Sequence, residues 1–529
     1  MILQLYRRQF GEFLILTLLS FIAFVVIYSR LPSLSLPYGD TWDTPVRWVL
    51  SYKAHLTKIP GEPLHNVVFD FISSVFAQHN ESRKVTVKLL AFFIDPFLPG
   101  FGPFWHIFSF VVRALTILVV TFPLFNCLNR RNKIPLRNNF VYLLFYILTG
   151  SGLFVYASGP ANLWNGLWEV QASFFLGILF AMIAINCFGR IIFQLSSSNA
   201  TAENRDLQNG RRSFRQSRWL AVPTISLLAG VFSWLSIFSF SGNICIAIVC
   251  MGLAAYGYLL KCKEEVGVVD IIRRPEFVWA LVSLVLILVS AGSFFNGWIS
   301  PPHHASMRGG LSLDYIKLFL GNFYQFIIST DSPLYLISFI PVIALGLAAF
   351  YFLGKGRQCP EVFLITGSQL IFLLGLACAS SIGRSGVNAE YALSPRYNSI
   401  SILYGYLTLL LIYSSIAAVR VDKALKICSS CCVVVGVLIG VAANLRWYRQ
   451  IYSHRARLMQ SESCFRDFYL SKNPSSNRSA ASSDLVCSPA FYPDFDALAS
   501  WFKTHACSNG QLLVKSENAR LICEDQTEF

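Results

Sequence analysis

Asp40 and Asp43 stand in the segment SLPYGDTWDTP, with Trp42 between them. Two carboxylates this close suit general-base work, one taking the proton of an attacking hydroxyl. Trp42 suits headgroup depth, where indole rings are favoured. A plainer reading stands beside this one. Gly39-Asp40 is ordinary turn chemistry, and an Asp ahead of Thr-Pro starts helices. Further along, QHNESR places His79, Asn80, Glu81 and Arg83 within five positions. These are hydrogen-bonding groups for a sugar and a guanidinium for an anionic diphosphate, or a solvated loop between helices. The segment SGPANLWNGLWEVQ carries Asn162, Asn165, Trp168 and Gln171. Alternating amides and indoles stack on and hydrogen-bond to sugars, and they also occur in membrane aromatic belts. A fourth segment, IGRSGVNAEYALSPRY, holds Arg384, Glu390, Arg396 and Tyr397. Its arginines fit a lipid-linked phosphate; their alternative partner is Glu390. His303 and His304 are adjacent, so they do not share a helix face, and no third ligand is near in sequence. No metal set is assigned.

The chain around these groups has 529 residues, of which 54% are hydrophobic and 13% charged, with a mean hydropathy of +0.53. Soluble domains carry about 25% charged residues. The deficit excludes a water-soluble enzyme, a disordered scaffold and a nucleic-acid module. A polytopic α-helical membrane protein remains. Eleven apolar stretches are long enough to span, near 12–29, 103–126, 139–157, 169–189, 219–238, 242–260, 277–297, 334–353, 361–381, 397–418 and 426–444. The first lacks a cleavage site and is a signal anchor. With the N-terminus inside, twenty-one Lys and Arg fall in the inner segments, from Arg7 to Lys426. The short outer loops 158–168 and 239–241 hold none, and 382–396 holds two. The net charge of +15 is therefore read as topology and lipid-headgroup contact, without nucleic acid. The spans are expected to be nearly free of ionisable groups, with Glu169 the borderline case.

Two outer loops are long: 30–102, and 298–333 with WISPPHHASMRGGLSLDYIKLFLGNFYQF. Long ordered loops are usually functional. In the first, Val67, Val68, Phe71, Ile72, Val75 and Phe76 share one helical face, and Leu89, Leu90, Phe93 and Ile94 another. Both segments are expected to lie as amphipathic helices in the interface plane. The membrane part covers 1–445. The segment 446–529 is expected to be a small outer cap, in which Cys464, Cys487, Cys507 and Cys523 predict two disulfides with three ways to pair. The membrane cysteines read as small apolar residues.

The order of these segments resembles the GT-C superfamily of integral-membrane glycosyltransferases, in its poorly characterised bacterial branch. The likeness covers about 1–445. It rests on Asp40-Thr-Trp42-Asp43, Gln78-His79-Asn80-Glu81-Ser82-Arg83, Asn165-Gly-Leu-Trp168-Glu-Val-Gln171 and Ser394-Pro395-Arg396-Tyr397. Ser82 stands where that branch favours a second His, and Pro395 interrupts its late Ser-Arg-Tyr. The resemblance implies transfer of a sugar from a polyprenyl-phosphate donor to a glycan, lipid or protein acceptor. Transfer would occur on the outer, periplasmic face of a bacterial inner membrane. Asp40 maps to the family's catalytic carboxylate, with Asp43 second. Arg384 and Arg396 would hold the leaving phosphate, with Arg83 a third candidate. Some members use a divalent cation beside the acidic loop. A flippase or transporter of lipid-linked glycan is the alternative; an O-antigen-type polymerase or ligase is a third reading.

Overall fold

A computed structural model describes residues 2–31, 63–78, 83–94, 102–131, 139–162, 171–197, 212–263, 272, 274–299, 308–327, 360–418 and 423–470. Within them every regular element is helical, and no strand occurs among the described residues. The helices are α1 (Ile2–Ser29), α2 (Leu64–Phe76), α3 (Val85–Ile94), α4 (Gly102–Arg131), α5 (Asn139–Gly152) and α6 (Ala172–Ser197). They continue with α7 (Arg212–Ser239), α8 (Cys245–Lys263), α9 (Pro275–Phe294) and α10 (Leu313–Gly321). Last come α11 (Pro360–Arg384), α12 (Asn398–Ala418) and α13 (Lys423–Leu470).

Nine helices among the described residues are long and apolar enough to cross a membrane. They match nine of the eleven expected stretches. A tenth, 397–418, is α12, a helix of 21 residues. The eleventh, 334–353, lies outside the described residues.

Helix α6 forms the centre of the bundle, with α4, α7, α8, α9 and α11 packed around it. Small residues permit this closeness, as usual where lipid supplies no drive for helices to associate. A Cβ at Gly177 would collide with the amide of Asn243. The freed carbonyl of Gly177 accepts from Ser236 Oγ at 2.8 Å, and Asn243 Nδ2 donates to Ser236 O at 3.1 Å. Deeper in, Gln369 Nε2 donates to Asn186 Oδ1 at 3.1 Å, and Asn186 Nδ2 to Val119 O at 2.9 Å. One side-chain chain thus ties α11, α6 and α4.

The two short helices of the first long loop form where the apolar periodicity places them. Helix α2 leaves Val68, Phe69 and Ile72 exposed. Helix α3 buries Val85, Val87 and Ala91, while Phe93 is exposed. Thr86 Oγ1 and Ser239 Oγ lie 2.7 Å apart, joining α3 to the end of α7. Lys88 and Arg83 explain the seating. Lys88 is 3% exposed, and its Nζ donates to Ser74 O, Val75 O and Ala77 O at 3.1, 3.3 and 2.8 Å. These carbonyls lie at the C-terminal end of α2, where the last ones lack intrahelical donors; Ser74 O also accepts from Ala77 N. Lys84, between the two cations, takes a left-handed φ of 52°, an uncommon conformation for a residue with a Cβ.

Helix α13 runs unbroken through residue 445 to Leu470, 48 residues or roughly 72 Å at 1.5 Å per residue. Beyond 445 it stays in contact with the bundle. Trp447, 1% exposed, donates from Nε1 to Phe323 O at 3.0 Å, and Arg446 Nη1 donates to Phe326 O at 2.5 Å. Cys487, Cys507 and Cys523 lie outside the described residues. Of the membrane cysteines, Cys245 and Cys250 are buried, as expected of small apolar residues, Cys431 and Cys432 are exposed, and Cys127 is in a disulfide.

Burial, then the neighbouring Lys84 and Arg83 charges, pushes the Lys88 ammonium down to about 8. The unfolded lysine keeps its proton to about 10.4. Between those values the unfolded chain binds more protons, so stability rises with pH. Thermal unfolding in detergent should show this rise from pH 8 to 10, and Lys88→Met should abolish it. An identical pH profile in the variant would remove Lys88 from this role.

Candidate functional site

The clearest built feature is the arch between α11 and α12. Helix α11 ends at Arg384, a cation at the end of the helix where its dipole favours positive charge. The chain then makes two 3₁₀ turns, Ala389–Leu393 and Pro395–Tyr397, before α12 begins at Asn398. Asn388 caps the first turn, its Oδ1 accepting from Tyr391 N at 2.8 Å. Pro395 begins the second turn, where its fixed φ is no penalty. The proline that interrupts the family-like Ser-Arg-Tyr thus shapes the turn that presents Arg396.

Arg396 is gripped by aromatic groups. Its Nη2 donates to the Tyr391 hydroxyl. Its guanidinium carbon lies 4.9 Å from the Tyr391 ring centre and 5.0 Å from that of Tyr397. Tyr397 is buried and packs on Phe319 at 4.6 Å. Burial works against the charge of Arg396. The surrounding phenols of Tyr397, Tyr391 and Tyr315 outweigh it, and the net shift is upward. Tyr315, on α10, is pushed up by burial and then by Tyr397, and its hydroxyl lies 3.0 Å from Ser380 Oγ. The arch therefore holds a permanently charged, pre-oriented guanidinium, the group best matched to a phosphate.

Helix α10, from the second long loop, is the wedge that supports the arch. Asn322 Nδ2 donates to Ala392 O at 3.2 Å and Ser394 O at 2.7 Å. Ser401 Oγ donates to Leu320 O at 2.6 Å and accepts from Phe323 N at 3.1 Å. A Cβ at Gly405 would run into the Tyr324 hydroxyl, so glycine there lets α12 approach the wedge.

The neighbouring polar segments join at this end. Asn162, at the end of the third span, donates to Tyr156 O at 2.7 Å and accepts from Ser399 Oγ at 2.8 Å. Ser399 lies two positions after Tyr397. Asn444 Oδ1 accepts from Ala161 N at 3.2 Å. Gln171, just before α6, is half-buried. On the other flank Gln78 and the Ile299 backbone exchange two hydrogen bonds, at 2.5 and 2.9 Å. Arg83 donates to Phe76 O at 2.7 Å, to Phe294 O from Nε at 3.3 Å and from Nη2 at 3.1 Å, and also to Asn296 O. Both described ends of the QHNESR segment are thus clamped to the end of α9. Arg83, 9% exposed, serves here as a clamp. Asp40, Trp42, Asp43, His79, Asn80, Glu81, Asn165 and Trp168 lie outside the described residues. Among the described residues no three His, Cys, Asp or Glu side chains converge to hold a metal ion.

One charged residue was missed in the sequence. The spans are not nearly free of ionisable groups. Arg113 lies in the second span and is completely buried. Its signal was plain, a lone charge in WHIFSFVVRALTILVV, and an ionisable group at membrane depth is a functional candidate by default. No family model, curated protein or solved structure matches the chain.

The arch depends on Asn322. Asn322→Ala would leave two carbonyls without their donor, at a cost of about 1–3 kcal/mol. Amide exchange over residues 389–397 should speed up accordingly. Unchanged exchange would show that the arch is held by other means.

Proposed function

We propose that the chain is a GT-C-type membrane glycosyltransferase that uses a polyprenyl-phosphate sugar donor. The observation that carries the reading is the Arg396 arch, a pre-oriented guanidinium at the end of the bundle that also bears the described parts of the QHNESR and SGPANLWNGLWEVQ segments. In this reading the N-terminus is cytoplasmic and the arch faces the periplasm of a bacterial inner membrane. Asp40, with Asp43 second, takes the proton from the acceptor hydroxyl. The acceptor oxygen forms a bond to the sugar's anomeric carbon as the bond to the lipid phosphate breaks. Arg396 and Arg384 receive the negative charge that develops on the leaving phosphate, a role preorganised cations perform well. Trp42, His79, Asn80, Glu81, Asn165, Trp168, Gln171 and Tyr397 contribute sugar and lipid contacts, and Arg83 holds its segment in place. A divalent cation beside Asp40 and Asp43 is compatible with the donor set. The acceptor is a glycan, lipid or protein.

Arg113 gives weight to a second reading, a transporter of the same lipid-linked glycan, because such proteins place charge inside their spans. The two differ in covalent chemistry. Purified protein given a polyprenyl-phosphate sugar should release free polyprenyl phosphate and a glycosylated acceptor in detergent, where no two compartments exist. Asp40→Asn should lower that rate by about 10²–10⁴-fold with an unchanged unfolding temperature. Arg396→Ala should weaken donor binding more than acceptor binding. Wild-type transfer by Asp40→Asn would remove the catalytic assignment, and donor binding unchanged in Arg396→Ala would remove the phosphate role.

A further inference from the structure

At the end of the bundle opposite the arch, α6, α8 and α9 enclose a crevice of about 400 Å³. Helix α6 contributes Ile192 and Leu195, near its far end. The two walls run from Tyr258 to Met251 on α8 and from Phe277 to Leu284 on α9. Close contacts elsewhere explain why the space exists. A Cβ at Gly257 would meet Ile192 Cγ2 at 2.7 Å, so glycine lets α8 press on α6. A Cβ at Gly230 would meet Leu286 Cδ1 at 2.8 Å, and Ser283 Oγ donates to Ser226 O at 3.2 Å, so α9 leans on α7. Each wall is drawn to a different neighbour. Between the walls stand Ala254, Ala255 and Ala280, whose side chains are too short to close the gap.

Tyr258 brings the lining's one hydroxyl, and every other lining side chain is apolar. An ordered water needs two to four polar partners, which this lining does not offer. A void would forfeit the dispersion contacts of the side chains around it. The occupant is therefore hydrocarbon. The crevice also opens sideways: Met251, Tyr258 and Leu281 line it and are exposed, beside the exposed Leu259 and Val278. Depth narrows the choice further. Tyr258 and Met251 lie five and twelve residues before the end of α8 at Lys263, roughly 8 and 18 Å. Phe277 and Leu284 lie two and nine residues after Pro275, roughly 3 and 14 Å. Half of a bilayer's hydrocarbon core is about 15 Å thick. We infer that the crevice is a fixed site for one acyl chain of a bilayer phospholipid, inserted between α8 and α9 from the leaflet opposite the arch. A polyprenyl chain is longer than one leaflet, and in the transferase reading its phosphate sits at the other end, at Arg396. The segment 261–276 at the mouth carries four Lys or Arg and four Asp or Glu, so no net charge selects an anionic headgroup. The site recognises the chain, and it stands whether or not the protein transfers sugar.

The test is photo-crosslinking of the full chain in phosphatidylcholine bilayers, with a phosphatidylcholine that carries a diazirine midway along one acyl chain. Leu259 and Val278 are the controls, because they are exposed at the same depth and do not line the crevice. The expected result is crosslinks at Met251, Leu281 and Leu284 several-fold above those at the controls. Ala280→Phe, which fills the gap, should lower the yield at Met251 and Leu284 several-fold and leave Leu259 and Val278 unchanged. Should Ala280→Phe not fold, the distribution in the wild type and the smaller filling by Ala254→Leu carry the test. Equal yields at lining and control residues would mean ordinary lipid contact and overturn the inference. So would yields at the lining residues that Ala280→Phe does not change. An absence of lining crosslinks would assign the space to another part of this chain. Polyprenyl phosphate that suppresses the lining crosslinks at equal concentration, without affecting the controls, would assign it to a polyprenyl chain and overturn the phospholipid assignment. Persistence of those crosslinks in its presence supports the phospholipid.

Discussion

Helix ends that are buried against other helices leave carbonyls which no water reaches, and the loop-bearing end of this bundle is organised by that demand. In a membrane protein each such group needs a donor from the protein itself. Here the donors are side chains. Lys88 meets the end of α2, and Arg83 meets the ends of α2 and α9. Asn322 meets the arch, and Trp447 meets the turn after α10. The bonds from Arg83 to α9, from Asn322 and from Trp447 also join elements far apart in sequence. The arch, the wedge and the second half of α13 hold their positions through these few polar contacts, because the apolar faces alone fix no register.

Two buried arginines meet this demand to different degrees. Arg83 and Arg113 are both arginines, both buried, both near aromatic rings. Arg83 gives four hydrogen bonds to carbonyls. Arg113 gives one. Thr116, Asn162 and Asn186 bond backbone carbonyls within the bundle. The unpartnered nitrogens of Arg113 are among several buried polar atoms in this bundle without a hydrogen-bond partner, with Ser226 Oγ, Asn398 Oδ1 and the Tyr404 hydroxyl.

The spans were legible because hydropathy integrates over about 20 residues and tolerates local noise. That averaging is also why Arg113 escaped. One charge within a strongly apolar run hardly lowers the mean, yet physically it dominates its surroundings. The short helices α2 and α3 were legible from periodicity, but their seating was not. Periodicity ranks faces by apolarity, whereas α3 is oriented by Thr86, Lys88 and the preceding Arg83, which seek oxygen atoms. The continuation of α13 past 445 has a related reason. Hydropathy falls there, but Trp447 and Arg446 reach carbonyls more than a hundred residues earlier, so the helix has a partner after its apolar stretch ends.

Partner distance also separates the arginines of the candidate site. Arg83 was read as a phosphate ligand because a guanidinium beside His, Asn and Glu looks available in sequence. Its actual acceptors, Phe294 O and Asn296 O, lie 211 and 213 positions away, and no local pattern reveals them. Two groups that hold Arg396 are local: Tyr391 and Tyr397 lie five positions before it and one after. Aromatic faces hold a cation without consuming its hydrogen-bond capacity, whereas carbonyls do consume it. An arginine clamped by backbone oxygen is a structural brace. The arch at 389–397 combines ring contact with hydrogen bonding, since Arg396 lies against the rings of Tyr391 and Tyr397 and also donates to the Tyr391 hydroxyl.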